Sequence, residues 1–177
     1  MSLFTRRFYI RINRERVRID SPGIAYGYDD AAVLAVRTEG AKKIVAAVGV
    51  SAESMRGAPF VELHRPFAHP RIIIDDYVTA AKLLQHGLWT LYQKMHWSPI
   101  RRSMKMIIHP IHTLEGGLTE VERYALVRLA DLCGARQVAV HTGRELAVTE
   151  IETYGVGANG SIFQPTSLTP FGRHGRG

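Results

Sequence analysis

Alternating apolar and polar positions divide the first part of the chain into short strands. An alternation with a period of two places every second side chain on the same face of a strand. Ser51 is a suitable N-cap for a short helix over residues 51–56, and a Gly-Ala-Pro segment ends that helix. The strands predicted from the alternation cover residues 8–12, 16–19, 31–37 and 44–48, with a turn near Asn13 and Arg14 between the first two.

The apolar spacing then changes to three and four, which indicates helices. The longest helix is predicted over residues 75–97, and a compact strand over residues 104–109 follows it. A second helix begins at Thr119, which forms a capping-box pattern with Glu122, and ends at Gly134. A strand over residues 137–140 and a helix over residues 144–154 come next. The predicted buried stripes are Tyr77, Ala81, Leu84, Leu88, Leu91 and Met95 on the first helix, and Val121, Ala125, Leu129 and Leu132 on the second.

This order of elements predicts an α/β fold with one globular domain. Strands alternate with helices after the opening strands, which favours a mixed β-sheet with helices on both faces. We divide the chain into a basic N-terminal segment over residues 1–7, the domain over residues 8–154, and a flexible, basic tail rich in Gly and Pro over residues 155–177.

Composition favours a soluble, globular protein. Of the 177 residues, 46% are hydrophobic, which is enough for a sizeable core. No apolar run is long enough for a signal peptide or a membrane span, so we expect a cytoplasmic protein. The single cysteine, Cys133, excludes an internal disulfide, and its place in the helical pattern predicts a small core residue.

The net charge of +7 raises the question of an anionic partner. Arginines near the N-terminus alternate with apolar residues, as on the solvated face of a strand. A contact with an anionic surface, such as the inner face of a membrane, is the alternative interpretation. No aromatic residues interleave with the arginines, so nucleic acid is a less favoured partner. The arginines are Arg6, Arg7, Arg11, Arg14, Arg16 and Arg18.

Motifs of metal binding or nucleophilic catalysis are missing from the sequence. The histidines that lie near prolines lack the helical spacing or the paired cysteines of metal sites, so they are predicted to be ordinary surface residues. Asp75 and Asp76 are predicted to complement the dipole in the first turn of the long helix. The histidines considered are His64, His69, His109 and His112.

Several blocks of sequence resemble, in order, the first domain of MreB proteins, the rod-shape-determining bacterial actins. The strongest block is Leu-Thr-Glu-Val-Glu-Arg-Tyr-Ala at residues 118–125, which leads to Gly-Ala-Arg-Gln-Val at residues 134–138. Earlier blocks lie at residues 45–49, 54–57, 65–66 and 75–84. The resemblance covers roughly residues 8–154 and implies a ribonuclease-H-like domain of the actin-like ATPase superfamily.

The resemblance also implies a nucleotide site, from which this sequence departs. In the family the first hairpin carries an Asp-x-Gly-Thr pattern that organises magnesium and approaches phosphate, whereas Arg11, Asn13 and Arg14 stand there in this chain. The family's Asp-Gly pair before the long helix becomes Pro-Arg at residues 70–71, and its Glu-Glu-Pro becomes Thr-Gly-Arg at residues 142–144. Glu122 matches a family glutamate implicated in positioning water, but a capping box alone explains it.

From these departures we predict a non-catalytic module that contacts other proteins. The expected partners are full-length bacterial actins or shape and division proteins, and a homo-oligomer is also compatible. The residues after Tyr154 are too few for the second domain of an actin-like ATPase, and no cofactor is expected. Two alternatives stay open: residual binding of ATP and magnesium in a cleft built by two copies, and binding of a membrane surface or nucleic acid through the arginines.

Overall fold

A computed structural model describes residues 5–95, 103–111, 117–154 and 160–163 of the protein. Nine strands and four helices lie within these ranges. The strands are β1 (Thr5–Ile12), β2 (Arg16–Asp20), β3 (Tyr28–Ala31), β4 (Leu34–Glu39), β5 (Lys42–Val48), β6 (Val61–His64), β7 (Ser103–Pro110), β8 (Gln137–His141) and β9 (Gly160–Phe163). The helices are α1 (Val50–Glu53), α2 (Tyr77–Met95), α3 (Glu120–Leu132) and α4 (Val148–Thr153).

A six-stranded mixed sheet forms the centre of the fold, with the order β3-β2-β1-β7-β8-β9. The three middle strands β1, β7 and β8 run parallel, and the outer strands pair antiparallel with their neighbours. Parallel neighbours need a crossover connection, which α2 provides between β1 and β7 and α3 provides between β7 and β8. The predicted mixed sheet is therefore confirmed.

Helices cover both faces of this sheet, as predicted. Alternate residues of β1 point to opposite sides, so Phe8, Ile10 and Ile12 join the large core beneath α2 and α3. Tyr9 belongs to a smaller cluster on the other face, where Ile151 of α4 covers it. The strand pattern thus builds two cores, one on each side of the sheet.

A second, three-stranded sheet with the order β5-β4-β6 lies between β3 and α2 in the chain. The sequence predicted a single strand over residues 31–37, but β3 ends at Ala31 and β4 begins at Leu34, in a different sheet. The amide of Val33 donates to the carbonyl of Ala31 at 2.9 Å, and this tight turn separates the two strands. The two residues between the strands, Ala32 and Val33, are apolar and buried, so the sequence pattern did not reveal the break.

Two predicted helix features are wrong. Gly49, with φ 67°, precedes α1, so the helix begins before Ser51 and has no side-chain cap. On α3, Val121 and Leu132 are exposed, whereas the buried residues are Leu126, Val127, Leu129 and Ala130. Apolar residues occur on two faces of this helix, and only its packing against the sheet and α2 selects one of them. The stripe of α2 is confirmed, with Ala81, Leu84, Leu88 and Leu91 buried and Tyr77 and Met95 packed against the core.

The strand β9 lies in the segment that the sequence assigned to the tail. It pairs antiparallel with β8, with Val138 opposite Phe163 and His141 opposite Gly160. Neighbouring Gly and Pro residues masked this short apolar strand in the sequence pattern. The rest of the predicted tail, residues 155–159 and 164–177, lies outside the described residues, as do residues 1–4 of the N-terminal segment. Among the described residues, no helix is long and apolar enough to cross a membrane.

Candidate functional site at the carboxyl edge of the parallel strands

Three of the residues singled out in the sequence meet at one edge of the large sheet. Parallel strands place their carboxyl ends at the same edge, where open α/β sheets bind ligands. Arg11 lies near the end of β1, His109 near the end of β7, and Arg144 follows the end of β8. The amide of Ile111 donates to the carbonyl of Ile12 at 2.8 Å, so the pairing of β1 with β7 extends to this edge.

Arg11 is held between two carboxylates of its own chain. One guanidinium nitrogen contacts Asp20 at the end of β2, and the other contacts Glu145 in the loop after β8. Burial alone would lower the pKa of Arg11, but the two carboxylates outweigh burial and raise the pKa. The side chain of Arg11 is only 15% exposed. Its charge is therefore satisfied within the protein.

The polar groups of the hairpin after β1 are also occupied. The side-chain oxygen of Asn13 accepts hydrogen bonds from the amides of Glu15 (2.9 Å) and Arg16 (2.6 Å). The amide of Asn13 itself donates to the carbonyl of Arg16 at 3.0 Å. Arg14 donates to the carbonyl of Pro70 at 3.0 Å. Three of the amides that could face a phosphate are thus committed inside the turn.

A buried network behind Arg11 contains a residue that the sequence analysis placed wrongly. His109 was predicted to be a surface histidine, but it is only 1% exposed, because it lies on β7, a central strand. The hydroxyl of Tyr9 lies 2.5 Å from Nδ1 of His109, and Nε2 of His109 lies 3.1 Å from the carbonyl oxygen of Gly143. A carbonyl only accepts, so Nε2 carries a proton. Burial holds the pKa of His109 well below its usual value, so the ring is neutral at pH 7 and Nδ1 accepts from Tyr9.

A second buried histidine extends this network. The ring centroids of His109 and His141 lie 4.8 Å apart, and Nε2 of His141 donates to the carbonyl of Arg144 at 2.8 Å. Burial first, and His141 second, lower the pKa of His109 to about 4. Tyr9 also accepts from the amide of Leu146 at 3.2 Å. Together these bonds fix the loop after β8 that carries Glu145.

The other histidines and acidic residues considered in the sequence lie away from this network, where the structure describes them. His64 and His69 are partly buried and lie outside this network, and His112 is not among the described residues. His64 approaches Asp76, which accepts from the amide of Thr79 at 3.1 Å, one residue before α2 begins. Asp75 and Asp76 thus precede the first helical turn instead of lying in it. No group of three or more metal-ligating side chains occurs in the described part of the chain.

The N-terminal arginines are partly neutralised. Arg16 and Arg18 point to the same side of β2, and both pair with Asp29, at 2.8 and 2.9 Å. Arg6 and Arg7 lie at the start of β1 and are partly buried. Arg11, Arg16 and Arg18 therefore contribute less free positive charge than their number suggests.

Glu122 has the structural role that the sequence favoured. Its carboxylate accepts from the amide of Thr119 at 3.0 Å, and the Thr119 hydroxyl accepts from the amide of Glu122 at 3.3 Å. These two bonds form the predicted capping box at the start of α3. Its carboxylate is thus engaged in capping the helix.

Sequence reasoning missed most of the residues that shape this edge. No sequence motif marks Tyr9, Asp20, His141 or Glu145. Their roles depend on contacts with residues far away in the chain. Arg11 and Glu145 are separated by 134 positions. The alternation in β1, which places Tyr9 and Arg11 on one face, was the single available signal.

Comparisons with known proteins agree with the resemblance found in the sequence. The family model described as MreB/Mbl protein matches residues 15–167. Two solved structures of MreB5 from Spiroplasma citri, one bound to ADP and one bound to AMPPNP, are similar to this chain, with 21% and 22% identity and a TM-score of 0.58 each. They cover 77% and 76% of this chain, which spans 38% of the length of each. A comparison with curated proteins finds no match.

Proposed function

Because the chain belongs to the MreB/Mbl protein family, we propose that it is a non-catalytic partner or modulator of bacterial actin assemblies in the control of cell shape. The family match and the actin-like fold support a cytoskeletal role. The finer proposal, that the chain acts through protein contacts without nucleotide chemistry, rests on the edge of the sheet described above. It also implies a cytoplasmic protein that meets its assembly at the inner face of the membrane.

The observation that carries this proposal is the pairing of Arg11 with Asp20 and Glu145. Arg11 stands where the resemblance implies a magnesium-organising carboxylate. A guanidinium cannot ligate magnesium, which prefers oxygen ligands. The two carboxylates near this position are already paired with Arg11, and a metal would have to compete with that cation for them.

Phosphate would meet an equally poor fit at the hairpin. Actin-like chemistry needs free backbone amides and a small residue at the close approach, and the amides of Asn13, Glu15 and Arg16 are committed within the turn. The Spiroplasma citri MreB5 proteins were solved with bound nucleotides. In this chain the groups at the carboxyl edge of the sheet are engaged by other groups of the same chain, and this supports the proposal that it does not bind magnesium-nucleotide there.

Two measurements test the proposal together. Isothermal titration of the protein with magnesium-ATP, and separately with ADP, should give no heat of binding at millimolar nucleotide. Sedimentation with a polymerised full-length homologue should carry the protein into the pellet. The matched control is sedimentation with the same homologue kept unpolymerised, where the protein should stay in solution.

The outcomes separate the two halves of the proposal. A micromolar nucleotide site would overturn the loss of nucleotide chemistry and support the alternative of an ATP-binding cleft. A protein that never sediments with the polymer would overturn the role in actin assemblies. Binding to anionic vesicles that falls steeply with salt, without cosedimentation, would instead assign the function to the N-terminal arginines.

A further inference from the structure

Phe60 is an exposed aromatic residue at a strained position of the backbone. It directly precedes β6 of the small sheet, it is 79% exposed, and its φ is 60°. A positive φ is uncommon for residues other than Gly, and for a bulky residue it marks strain. Strained residues persist where the surrounding structure holds them, and they concentrate at functional positions. Phe60 is therefore a candidate for a function outside the sites described above.

The turn that contains Phe60 is suited to a different residue. The amide of Val61 donates to the carbonyl of Ala58 at 3.3 Å, which places Pro59 and Phe60 at the two central positions of the turn. Proline fixes φ at the first of these positions, and a positive φ at the second favours Gly or Asn, which accept this conformation at little cost. Phe60 therefore costs the fold stability that Gly or Asn would not.

The structure fixes this turn without burying the aromatic ring. The amide of Thr38 in β4 donates to the carbonyl of Phe60 at 2.9 Å, so the turn is attached to the small sheet. Within the described part of the chain, Phe60 joins none of the apolar clusters, and no aromatic ring stacks against it. The protein thus holds an aromatic side chain in a defined place and gains no burial from it.

The charged side chains of the small sheet and of its connections are mostly paired with one another. Lys42 is the one Lys or Arg of these three strands that lies outside an ion pair, among the described residues. The excess of positive charge is therefore small, and the ring of Phe60 recommends an apolar pocket on a partner over an anionic surface. The ion pairs are Arg37 with Glu39, Lys43 with Glu62, and both Arg56 and Arg65 with Glu53.

We propose that Phe60 is the aromatic anchor of the contact with a bacterial actin assembly, and that its ring enters an apolar pocket on the surface of that assembly. Aromatic anchors in well-packed pockets carry much of the binding energy of protein interfaces. A side chain on a turn that is already fixed loses little backbone freedom on binding. This inference rests on the proposed function and deepens it, because it assigns the protein contact to one residue.

The variant Phe60→Asn tests this inference, because it should improve stability and weaken binding at the same time. Asn accepts a positive φ, so the midpoint of thermal unfolding should rise by about 2 °C. The variant also lacks the ring, so its dissociation constant for the polymerised full-length homologue, measured by cosedimentation, should rise at least about 10-fold. Tyr26→Asn is the matched control, because Tyr26 is 80% exposed and lies in the loop after β2, and it should leave binding unchanged.

Photo-crosslinking gives a second readout that is local to the ring. Phe60→p-benzoylphenylalanine keeps an aromatic side chain at this position and adds a group that reacts, when irradiated, with the C–H bonds around it. Irradiation in the presence of the polymerised homologue should join the protein covalently to subunits of the polymer. The same photoreactive residue in place of Tyr26 should give no such product.

The outcomes distinguish this inference from the proposed function. Equal cosedimentation of Phe60→Asn and the unmodified protein would reject Phe60 as the anchor and keep the role in actin assemblies. An unmodified protein that never sediments with the polymer would overturn both. A lower unfolding midpoint of Phe60→Asn would show that the ring stabilises the fold, and would also overturn the inference. If the unmodified protein binds anionic vesicles and Phe60→Asn does not, the ring enters lipid, and the assignment to a protein partner fails.

Discussion

The hydroxyl of Tyr9 donates to Nδ1 of His109 across two neighbouring parallel strands, at 2.5 Å. The same hydroxyl accepts from the amide of Leu146, so one side chain links β1, β7 and the loop after β8. That loop carries Glu145, which holds Arg11. The polar core thus supports the ion pairs that occupy the edge of the sheet.

Removing this hydroxyl should destabilise the fold. Tyr9→Phe leaves Nδ1 of His109 and the amide of Leu146 unpaired in a buried site, with an expected loss of about 1–3 kcal/mol in the free energy of unfolding. Urea denaturation followed by circular dichroism measures the loss. Tyr26→Phe is the matched control, because Tyr26 is 80% exposed and should change stability little. Equal denaturation midpoints for Tyr9→Phe and Tyr26→Phe would show that the hydroxyl of Tyr9 does not contribute to stability.

His109 should make the protein sensitive to mild acid. Its folded pKa of about 4 lies below the ordinary value of 6.5, so the unfolded chain takes up a proton at higher pH than the folded one. The stabilisation is fully present above about pH 6.5 and falls by about 3 kcal/mol as the pH drops to about 4. His109→Gln should reduce this dependence of the free energy of unfolding on pH. Denaturation of both proteins at about pH 7 and about pH 5 measures this dependence. An equal loss of stability in both proteins between these pH values would exclude His109 as the cause of the acid sensitivity.

Gly49 is required by both its backbone and its surroundings. Its φ is 67°, and a Cβ would lie 1.9 Å from the carboxylate oxygen Oδ2 of Asp30, whose other oxygen accepts from the amide of Val50. Gly49→Ala should therefore lower the free energy of unfolding by about 3 kcal/mol, the sum of backbone strain and overpacking.

Gly40 offers the matched control for this prediction. It also has a positive φ, of 59°, but nothing lies within 4 Å of its Cβ position. Gly40→Ala should cost only about 1–2 kcal/mol, from the backbone alone. Thermal unfolding of both variants measures the difference. Equal losses would show that the contact with Asp30 does not constrain Gly49.

The pair of Arg11 and Glu145 should show a measurable but modest coupling. A double-mutant cycle with Arg11→Met and Glu145→Gln should give about 1 kcal/mol, because Glu145 is half-exposed and water screens the interaction. The coupling should shrink in high salt. Urea denaturation of the four proteins at two ionic strengths measures it, and a coupling near zero would remove this pair as the restraint on the loop after β8.

Variants of the capping box of α3 test whether Glu122 has a structural or a catalytic role. Thr119→Ala should lower stability by about 1 kcal/mol, whereas Glu122→Gln keeps a capping side chain and should stay close to the unmodified protein. Thermal unfolding measures both effects. If Glu122→Gln changed the heat of a nucleotide titration, the purely structural role of Glu122 would be wrong.

The sequence by itself determined the elements whose signals are local. The spacing of Ala81, Leu84 and Leu88 fixed the helix α2, the Thr119 and Glu122 pattern fixed the start of α3, and the order of strands and helices fixed a mixed sheet covered on both faces. These features depend on hydrogen bonds and apolar faces formed by near neighbours in the chain, so a local pattern is sufficient to predict them.

The tertiary structure alone decided which residues meet. Arg11 is charged in any fold, but only the parallel pairing of β1, β7 and β8 brings it to Asp20 and Glu145. His109 reads as a surface residue in the sequence and becomes a buried neutral acceptor because β7 lies in the middle of the sheet. Burial and ion pairing are set by contacts between distant segments, and no local spacing encodes them.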